Sequence, residues 1–194
     1  GDTYEGRYEG GLKNGKGIMK FADGEVYEGG WKGGVKEGRG TMTYANGDKY
    51  EGDWKGGVKE GRGNMTYING DKYEGDWKED RVDGWGKMTY ANGNIYEGDW
   101  KGGVIEGRGK MIYENGDIYT GKLVNGSKEG PGKVTFANDK KWLSLECNFK
   151  NNKIDESKLI TYTNKNGDVY IGKLVNGKLG LNKVARSFTP GLKK

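Results

Sequence analysis

Six tyrosines, Tyr4, Tyr27, Tyr50, Tyr73, Tyr96 and Tyr119, recur every 23 residues; five are followed by Glu-Gly and the sixth by Thr-Gly. Three further registers keep the same phase. Four residues after each lead tyrosine stand Tyr8, Trp31, Trp54, Trp77, Trp100 and Leu123. Gly15, Gly38, Gly61, Gly84, Gly107 and Gly130 are each followed two residues later by another glycine, and Phe21, Tyr44, Tyr67, Tyr90, Tyr113 and Phe136 complete the cycle. Self-similarity at a period of roughly 20–50 residues marks a stacked array, in which each unit buries its apolar face against its neighbours. Residues 1–141 hold six regular repeats. Residues 142–169 read as a degenerate repeat with insertions: Trp142 stands 23 residues after Tyr119, and Phe149 takes the tryptophan place after a three-residue insertion. Residues 170–194 form a last partial repeat, opened by Tyr170, with a C-terminal cap or tail.

Each unit reads as two short strands. In Tyr50-Glu51-Gly52-Asp53-Trp54 the rings and the glycine share one face and the acids the other; Gly63, Met65 and Tyr67 alternate in the same way. Asp23-Gly24, Asn46-Gly47, Asn69-Gly70, Asn92-Gly93 and Asn115-Gly116 are dipeptides that predict two-residue type I′ turns between units. Gly56-Gly57-Val58-Lys59-Glu60-Gly61 reads as a longer, glycine-rich turn. Only Ile154–Lys158 and the C-terminal tail leave room for helix. The expected fold is all-β: an elongated single-layer antiparallel sheet of tandem 23-residue hairpins, twisted into a rod, with tyrosine and tryptophan rings lying over strand-centre glycines in place of a second layer.

Composition agrees with a thin, ordered sheet. Glycine supplies 39 of 194 residues and proline only 2, while hydrophobic residues make up 32% against 12% aromatics. Disordered glycine-rich chains are poor in aromatics. Histidine is absent, which removes the usual general base and zinc ligand, so no catalytic, cofactor-binding or metal site is expected. The single cysteine, Cys147, cannot close an internal disulfide, and no apolar run approaches the ~18 residues of a membrane-spanning helix. The start at Gly-Asp-Thr-Tyr reads as a fragment of something longer. Residues 1–125 hold 19 Lys+Arg against 22 Asp+Glu; residues 126–194 hold 14 against 6, so the net charge of +5 comes from the last third.

Tyr-Glu-Gly-Asp-Trp, three residues to Gly57, four more to Gly61 and Gly-x-Gly through Gly63 closely resemble the MORN repeat (membrane occupation and recognition nexus). The string recurs from Tyr27, Tyr50 and Tyr96, and with changes from Tyr4, Tyr73, Tyr119 and Tyr170. The resemblance implies an elongated sheet of tandem hairpins and does not by itself fix the function; the leading expectation is a non-catalytic scaffold for protein–protein interaction. Such arrays occur in junctional membrane proteins, phosphatidylinositol-phosphate kinases, ciliary radial spokes and the cytoskeletal scaffolds of protists; the Asn- and Lys-rich end fits a protist source. The localisation it implies is intracellular, at the cytoskeleton or the cytoplasmic face of a membrane.

The candidate partner-binding groove is the aromatic stripe Tyr27, Trp31, Tyr50, Trp54, Tyr73, Trp77, Tyr96 and Trp100, together with Trp85, whose counterparts Lys16, Arg39, Arg62 and Arg108 are all cations. Packing accounts for such a stripe as well; a groove of this kind would take an extended peptide or an amphipathic helix. Exposed sheet edges suggest a homodimer through the terminal repeats. The alternative function is binding of anionic phospholipid or phosphoinositide by the basic end, through Lys128, Lys133, Lys140, Lys141, Lys150, Lys153, Lys173, Lys178, Lys183 and Arg186. Nucleic acid is not an expected partner, because the aromatics lie in the acidic part. The recurring acids Glu28, Glu51, Asp53, Glu74, Asp76, Glu97 and Asp99 are expected to form cross-strand pairs with Lys and Thr positions.

Overall fold

The structure is a computed structural model that describes residues 1–175 and 178–185. It divides into two compact units, residues 1–104 and 105–194. The strands of the first are β1 (Thr3–Glu9), β2 (Leu12–Lys20), β3 (Val26–Lys32), β4 (Val35–Thr43), β5 (Lys49–Lys55), β6 (Val58–Thr66), β7 (Lys72–Lys78), β8 (Arg81–Thr89) and β9 (Ile95–Lys101). From the boundary onwards follow β10 (Val104–Ile112), β11 (Ile118–Val124), β12 (Ser127–Thr135), β13 (Trp142–Lys150), β14 (Lys153–Ile154), β15 (Ile160–Asn164), β16 (Val169–Val175) and β17 (Lys178–Ala185). Among the described residues there is no helix. The strands form one open antiparallel sheet of consecutive hairpins, with β13 pairing to both β14 and β15.

The two kinds of connection are the reverse of the sequence expectation. The tight turn is Gly56-Gly57: Lys55 pairs with Val58, and both glycines have positive φ, +57° and +92°, as a type I′ turn requires. Asn46-Gly47 instead belongs to the five-residue loop between Thr43 and Lys49, closed by Tyr44 N–H to Asp48 O (2.9 Å) and Gly47 N–H to Tyr44 O (2.9 Å). Of that pair only Gly47 has positive φ, and the Asn46 side chain caps the loop by accepting Asp48 N–H at 3.0 Å. What looked like a longer turn is a bulge. Gly52 pairs with Gly63 and Trp54 with Lys59, so Asp53 alone faces Glu60, Gly61 and Arg62, with Gly61 at φ +75°. Ile154–Lys158 is strand end and turn, closed by Lys158 N–H to Asp155 O, and not helix.

The seventh repeat also shifts. Leu145, not Trp142, occupies the lead place: it pairs with Val134, which pairs with Tyr119, just as Tyr73 pairs with Met65 and Met65 with Tyr50. The insertion therefore precedes Leu145. Phe149, four residues on, does fill the tryptophan place, meeting the Tyr119 ring edge-on at 5.3 Å.

A single sheet makes a core by laying rings flat on its own backbone. Tyr27, Tyr50, Tyr73, Tyr96 and Tyr119 are fully buried, and Trp31, Trp54, Trp77 and Trp100 are 4–8% exposed. The Tyr50 ring covers Gly52 and Gly63; a Cβ on Gly63 would lie 2.5 Å from its Cζ. These two glycines serve close approach, not backbone freedom. Where Leu145 replaces the tyrosine, the glycine places are filled by Cys147, paired with Gly132, and by Ile160, the residue before the Thr161 that pairs with Glu146. Both are buried.

Candidate functional site

In the first unit the rings form one alternating column: Trp31, Tyr27, Trp54, Tyr50, Trp77, Tyr73, Trp100, Tyr96. Successive rings meet edge to face, with centroids 5.1–5.6 Å apart. Their polar atoms are satisfied inside the fold. Tyr50 donates to Asp53 O at 3.0 Å, and Trp54 Nε1 donates to Gly40 O of the preceding repeat at 3.3 Å. Burial pushes the Tyr27 hydroxyl up to about 12, with Glu37 adding to the shift. Tyr44, over the same face, is likewise raised to about 12, first by burial and then by nearby carboxylates led by Asp80.

Lysines roof the column. Lys36 Nζ stands 4.5 Å from the Trp54 ring and 5.1 Å from Tyr27, and Lys59 Nζ stands 4.7 Å from Trp77 and 5.5 Å from Tyr50. Desolvation lowers the pKa of both. In the next repeat the buried Val82 takes this place. Eight of the nine residues assigned to a partner groove are thus buried, and of these Trp31 borders an open recess of about 630 Å³ beside Gly15, Gly30 and Gly38. The ninth, Trp85, is 49% exposed.

Carboxylates join each repeat to the next along both margins. At the tight turns, Glu37 Oε2 accepts Gly56 N–H at 2.9 Å, Glu60 Oε2 accepts Glu79 N–H at 3.1 Å and Asp83 Oδ2 accepts Gly102 N–H at 2.9 Å. At the loops, Asp48 accepts Ile68 N–H and Asp71 accepts Ala91 N–H, both at 2.8 Å. The second unit repeats both devices, with Glu129 accepting Asn151 N–H at 3.0 Å and Asp117 accepting Ala137 N–H at 2.9 Å. Sequence reasoning passed over these acids. The signal was present, since an acid precedes the bulge glycine at Glu37, Glu60, Asp83, Glu106 and Glu129.

The opposite, polar face carries the alternate side chains. Between β1 and β5 it encloses an open groove of about 950 Å³, lined by Gly6, Gly17, Gly29, Gly40 and Gly52 and by Glu5, Lys16, Glu28, Arg39, Thr41 and Glu51. The expected pairing of acids with Lys and Thr holds only in part. Glu28 faces Ile18 and Thr41, Glu51 faces Thr41 and Asn64, and the aspartates meet arginines: Arg39–Asp53 at 3.3 Å and Arg62–Asp76 at 3.0 Å. Trp85 continues this arginine–aspartate row. It pairs in register with Asp99, and its own N–H is held by Asp76 Oδ2 at 2.9 Å. The turn that opens its strand is Glu79-Asp80, at φ +46° and +67°, where the repeats before and after place glycines. Asp80 Oδ1 accepts Lys59 N–H at 2.9 Å.

Among the described residues, the cations proposed for lipid do not share one face. Lys128 faces inward, its Nζ 5.0 Å from the Tyr119 ring, whereas Lys133 lies on the other face, paired with Glu146 at 2.8 Å. Lys141 Nζ sits 4.7 Å from the Trp142 ring. Lys140, Lys150, Lys153, Lys173 and Lys178 are exposed; Lys183 pairs in register with Tyr170, and Arg186 lies outside the described residues. Burial pushes the Cys147 thiol up to about 11, partly opposed by Lys128.

Comparison with solved structures finds similarity to the TCP10 domain of Danio rerio CPAP at 11% identity and a TM-score of 0.46, covering 96% of this chain and 95% of that one. The same domain in complex with a peptide of Danio rerio STIL is similar at 12% identity and a TM-score of 0.49, covering 96% and 99%. The SAS-4 (dCPAP) TCP domain of Drosophila melanogaster, in complex with a proline-rich motif of Ana2 (dSTIL), is similar at 15% identity and a TM-score of 0.41, covering 87% and 83%. No curated protein sequence matches the chain. The MORN-repeat family model matches six consecutive segments, 4–26, 27–49, 50–72, 73–95, 96–118 and 119–141, well over half of the sequence and with boundaries at the lead tyrosines. The chain belongs to the MORN-repeat family.

Proposed function

We propose that this chain is a non-catalytic scaffold that holds protein partners on its polar face, in a cytoskeletal or membrane-associated assembly, and self-associates through its end repeats. The observation that carries the reading is the division of labour between the faces. On the aromatic face the rings, lysines and methionines pack together and leave a recess of about 430 Å³ beside Tyr44, Lys59 and Met65, whereas the polar face carries a groove of about 950 Å³ and one exposed indole, Trp85. The recurring acids typified by Glu37, Asp48 and Asp53 hold backbone N–H groups as caps and latches, which accounts for their periodicity without chemistry. Aromatic side chains are favoured anchors at protein interfaces. The test is photocrosslinking in the source cells, with the reactive residue placed at Lys87 or Thr41 on the polar face and at Asn69 on a loop as control. Discrete protein adducts from the polar-face positions support the reading; adducts that match those of the loop control refute it.

The second reading is binding of anionic phospholipid through the basic end. It is supported by the excess of 14 Lys+Arg over 6 Asp+Glu in residues 126–194 and by the exposure of Lys140, Lys150, Lys153, Lys173 and Lys178. Flotation with phosphatidylinositol-bisphosphate vesicles over a salt series tests it. Loss of binding when these five lysines become glutamine supports the reading, and unchanged flotation ends it.

A further inference from the structure

We propose that Trp85 anchors an arginine-bearing segment of a partner protein, the guanidinium lying against the exposed indole. The inference rests on the scaffold reading and names the chemistry that its polar face takes.

Position is the first ground. In two preceding repeats an arginine reaches across this face to the aspartate of the next repeat: Arg39 to Asp53 at 3.3 Å and Arg62 to Asp76 at 3.0 Å. Trp85 holds the same place and pairs in register with Asp99. The indole fills the place of the repeat's own arginine side chain, so a guanidinium laid on its outer face continues, one layer out, a row in which arginines already meet aspartates.

Presentation is the second ground. The ring is 49% exposed, yet its backbone is fixed, with N–H bonded to Asp76 Oδ2 at 2.9 Å beside the bulge glycine Gly84 at φ +110°. An added Cβ at Gly84 would lie 2.8 Å from Asp76 Oδ2, so the bulge that presents the ring is tightly packed. A large apolar ring held on a charged surface and left uncovered by its own fold offers a face to a ligand.

Chemical preference is the third ground. Tryptophan has the strongest π-face for cations, and arginine is the cation that also stacks on it. The fold uses the same pairing on its other side, where Lys36 and Lys59 stand over Trp54 and Trp77. On the adjacent strand Asp76 already takes the Arg62 guanidinium and Glu74 faces Lys87 in register, so cations meeting acids is the pattern of the surface around the ring.

The test uses the full chain with 15N-labelled indoles and three synthetic peptides. Each carries a Gly-Pro spacer with arginine, lysine or glutamate at every third position. The arginine peptide is expected to move the Trp85 indole N–H signal in a saturable way, with weaker movement from lysine and none from glutamate. Trp85→Arg, which restores the residue of the neighbouring repeats and so keeps the fold, should weaken binding of the arginine peptide roughly 3- to 30-fold. Trp85→Phe should fall between the two. Equal binding by wild type and Trp85→Arg, or equal movement by the glutamate peptide, overturns the proposal. So does silence of the Trp85 signal towards all three peptides. If that silence comes with persistent polar-face crosslinks, the arginine assignment alone falls; if the crosslinks are also missing, the scaffold reading falls with it.

Discussion

Replacing Gly63 by alanine adds one methyl group, and the structure says it should act like the loss of a buried aromatic. The new Cβ would lie 2.5 Å from Tyr50 Cζ, with the ring's Cε2 and hydroxyl closer still, so the ring must leave its place. Tyr50 is fully buried, donates to Asp53 O at 3.0 Å and meets Trp54 and Trp77 edge-on at 5.3 and 5.1 Å. Displacing a large buried side chain costs about 2–3 kcal/mol of burial, its hydrogen bond about 1 kcal/mol and each ring contact about 0.5–1.5 kcal/mol. With partial relaxation the expected loss is about 3–5 kcal/mol, the range of a core aromatic truncation. Gly56→Ala is the control. It strains a positive φ of +57° but meets no atom within 4 Å, so it should cost about 1 kcal/mol. Because a repeat array can open in parts, denaturant unfolding should be read together with amide hydrogen exchange at Met65 and Tyr73. Tyr50→Leu should relieve the clash, making the double variant at least ~1 kcal/mol more stable than the sum of the single changes. Equal losses from Gly63→Ala and Gly56→Ala, or strict additivity with Tyr50→Leu, would refute the ring-over-glycine account.

Glu37→Ala should cost about 1 kcal/mol and accelerate exchange at the Gly56 amide, because the latch at 2.9 Å is lost; unchanged exchange there would remove the latch from the account. Glu79→Gly should stabilise by about 0.5–1 kcal/mol in thermal melts, since Glu79 holds φ +46° without being glycine. The buried and half-buried tyrosines set an alkaline limit. Tyr27, Tyr44 and Tyr119 are raised to about 12, each chiefly by burial, so the folded state holds these protons more tightly than the unfolded chain. Their contribution is fully present below pH ~10 and is lost as pH rises from about 10 towards 12. Tyrosinate absorbance should rise together with unfolding across that window, and ionisation of these residues in a chain that stays folded at pH ~10 would contradict it.

Much of the fold could be read from the residues, because the rings and the glycines that receive them repeat in phase. Tyr50, Gly52 and Gly63 announce a ring lying on backbone, and the seventh repeat supports the point by losing all three together. The turns could not be read, for a definable reason. Positive φ is needed at Gly47 in a loop, at Gly56 and Gly57 in a type I′ turn and at Gly61 in a bulge, and glycine looks alike at each. Only the pairings of Lys55 with Val58 and of Trp54 with Lys59 show that the strand resumes directly after the tight turn. The lead place of the seventh repeat was hidden because Trp142 keeps the 23-residue spacing while Leu145 keeps the register. Packing of the rings on the sheet was expected; its completeness was not. A single layer suggested half-open rings, but the lysine stems and the edge-to-face column cover the lead tyrosines and tryptophans, leaving the irregular residue Trp85 in the open.

The claim at the centre is that the aromatic stripe belongs to the fold and that the surface available to partners is the polar face with Trp85. Incorporation of 5-fluorotryptophan gives one 19F signal for each of the six tryptophans, and a soluble paramagnetic agent then reports how open each ring is. Strong broadening of Trp85, intermediate broadening of the half-buried Trp142 and protection of Trp31, Trp54, Trp77 and Trp100 are the predicted result. Broadening of Trp54 and Trp77 to the level of Trp85 would show an open aromatic groove and contradict the account.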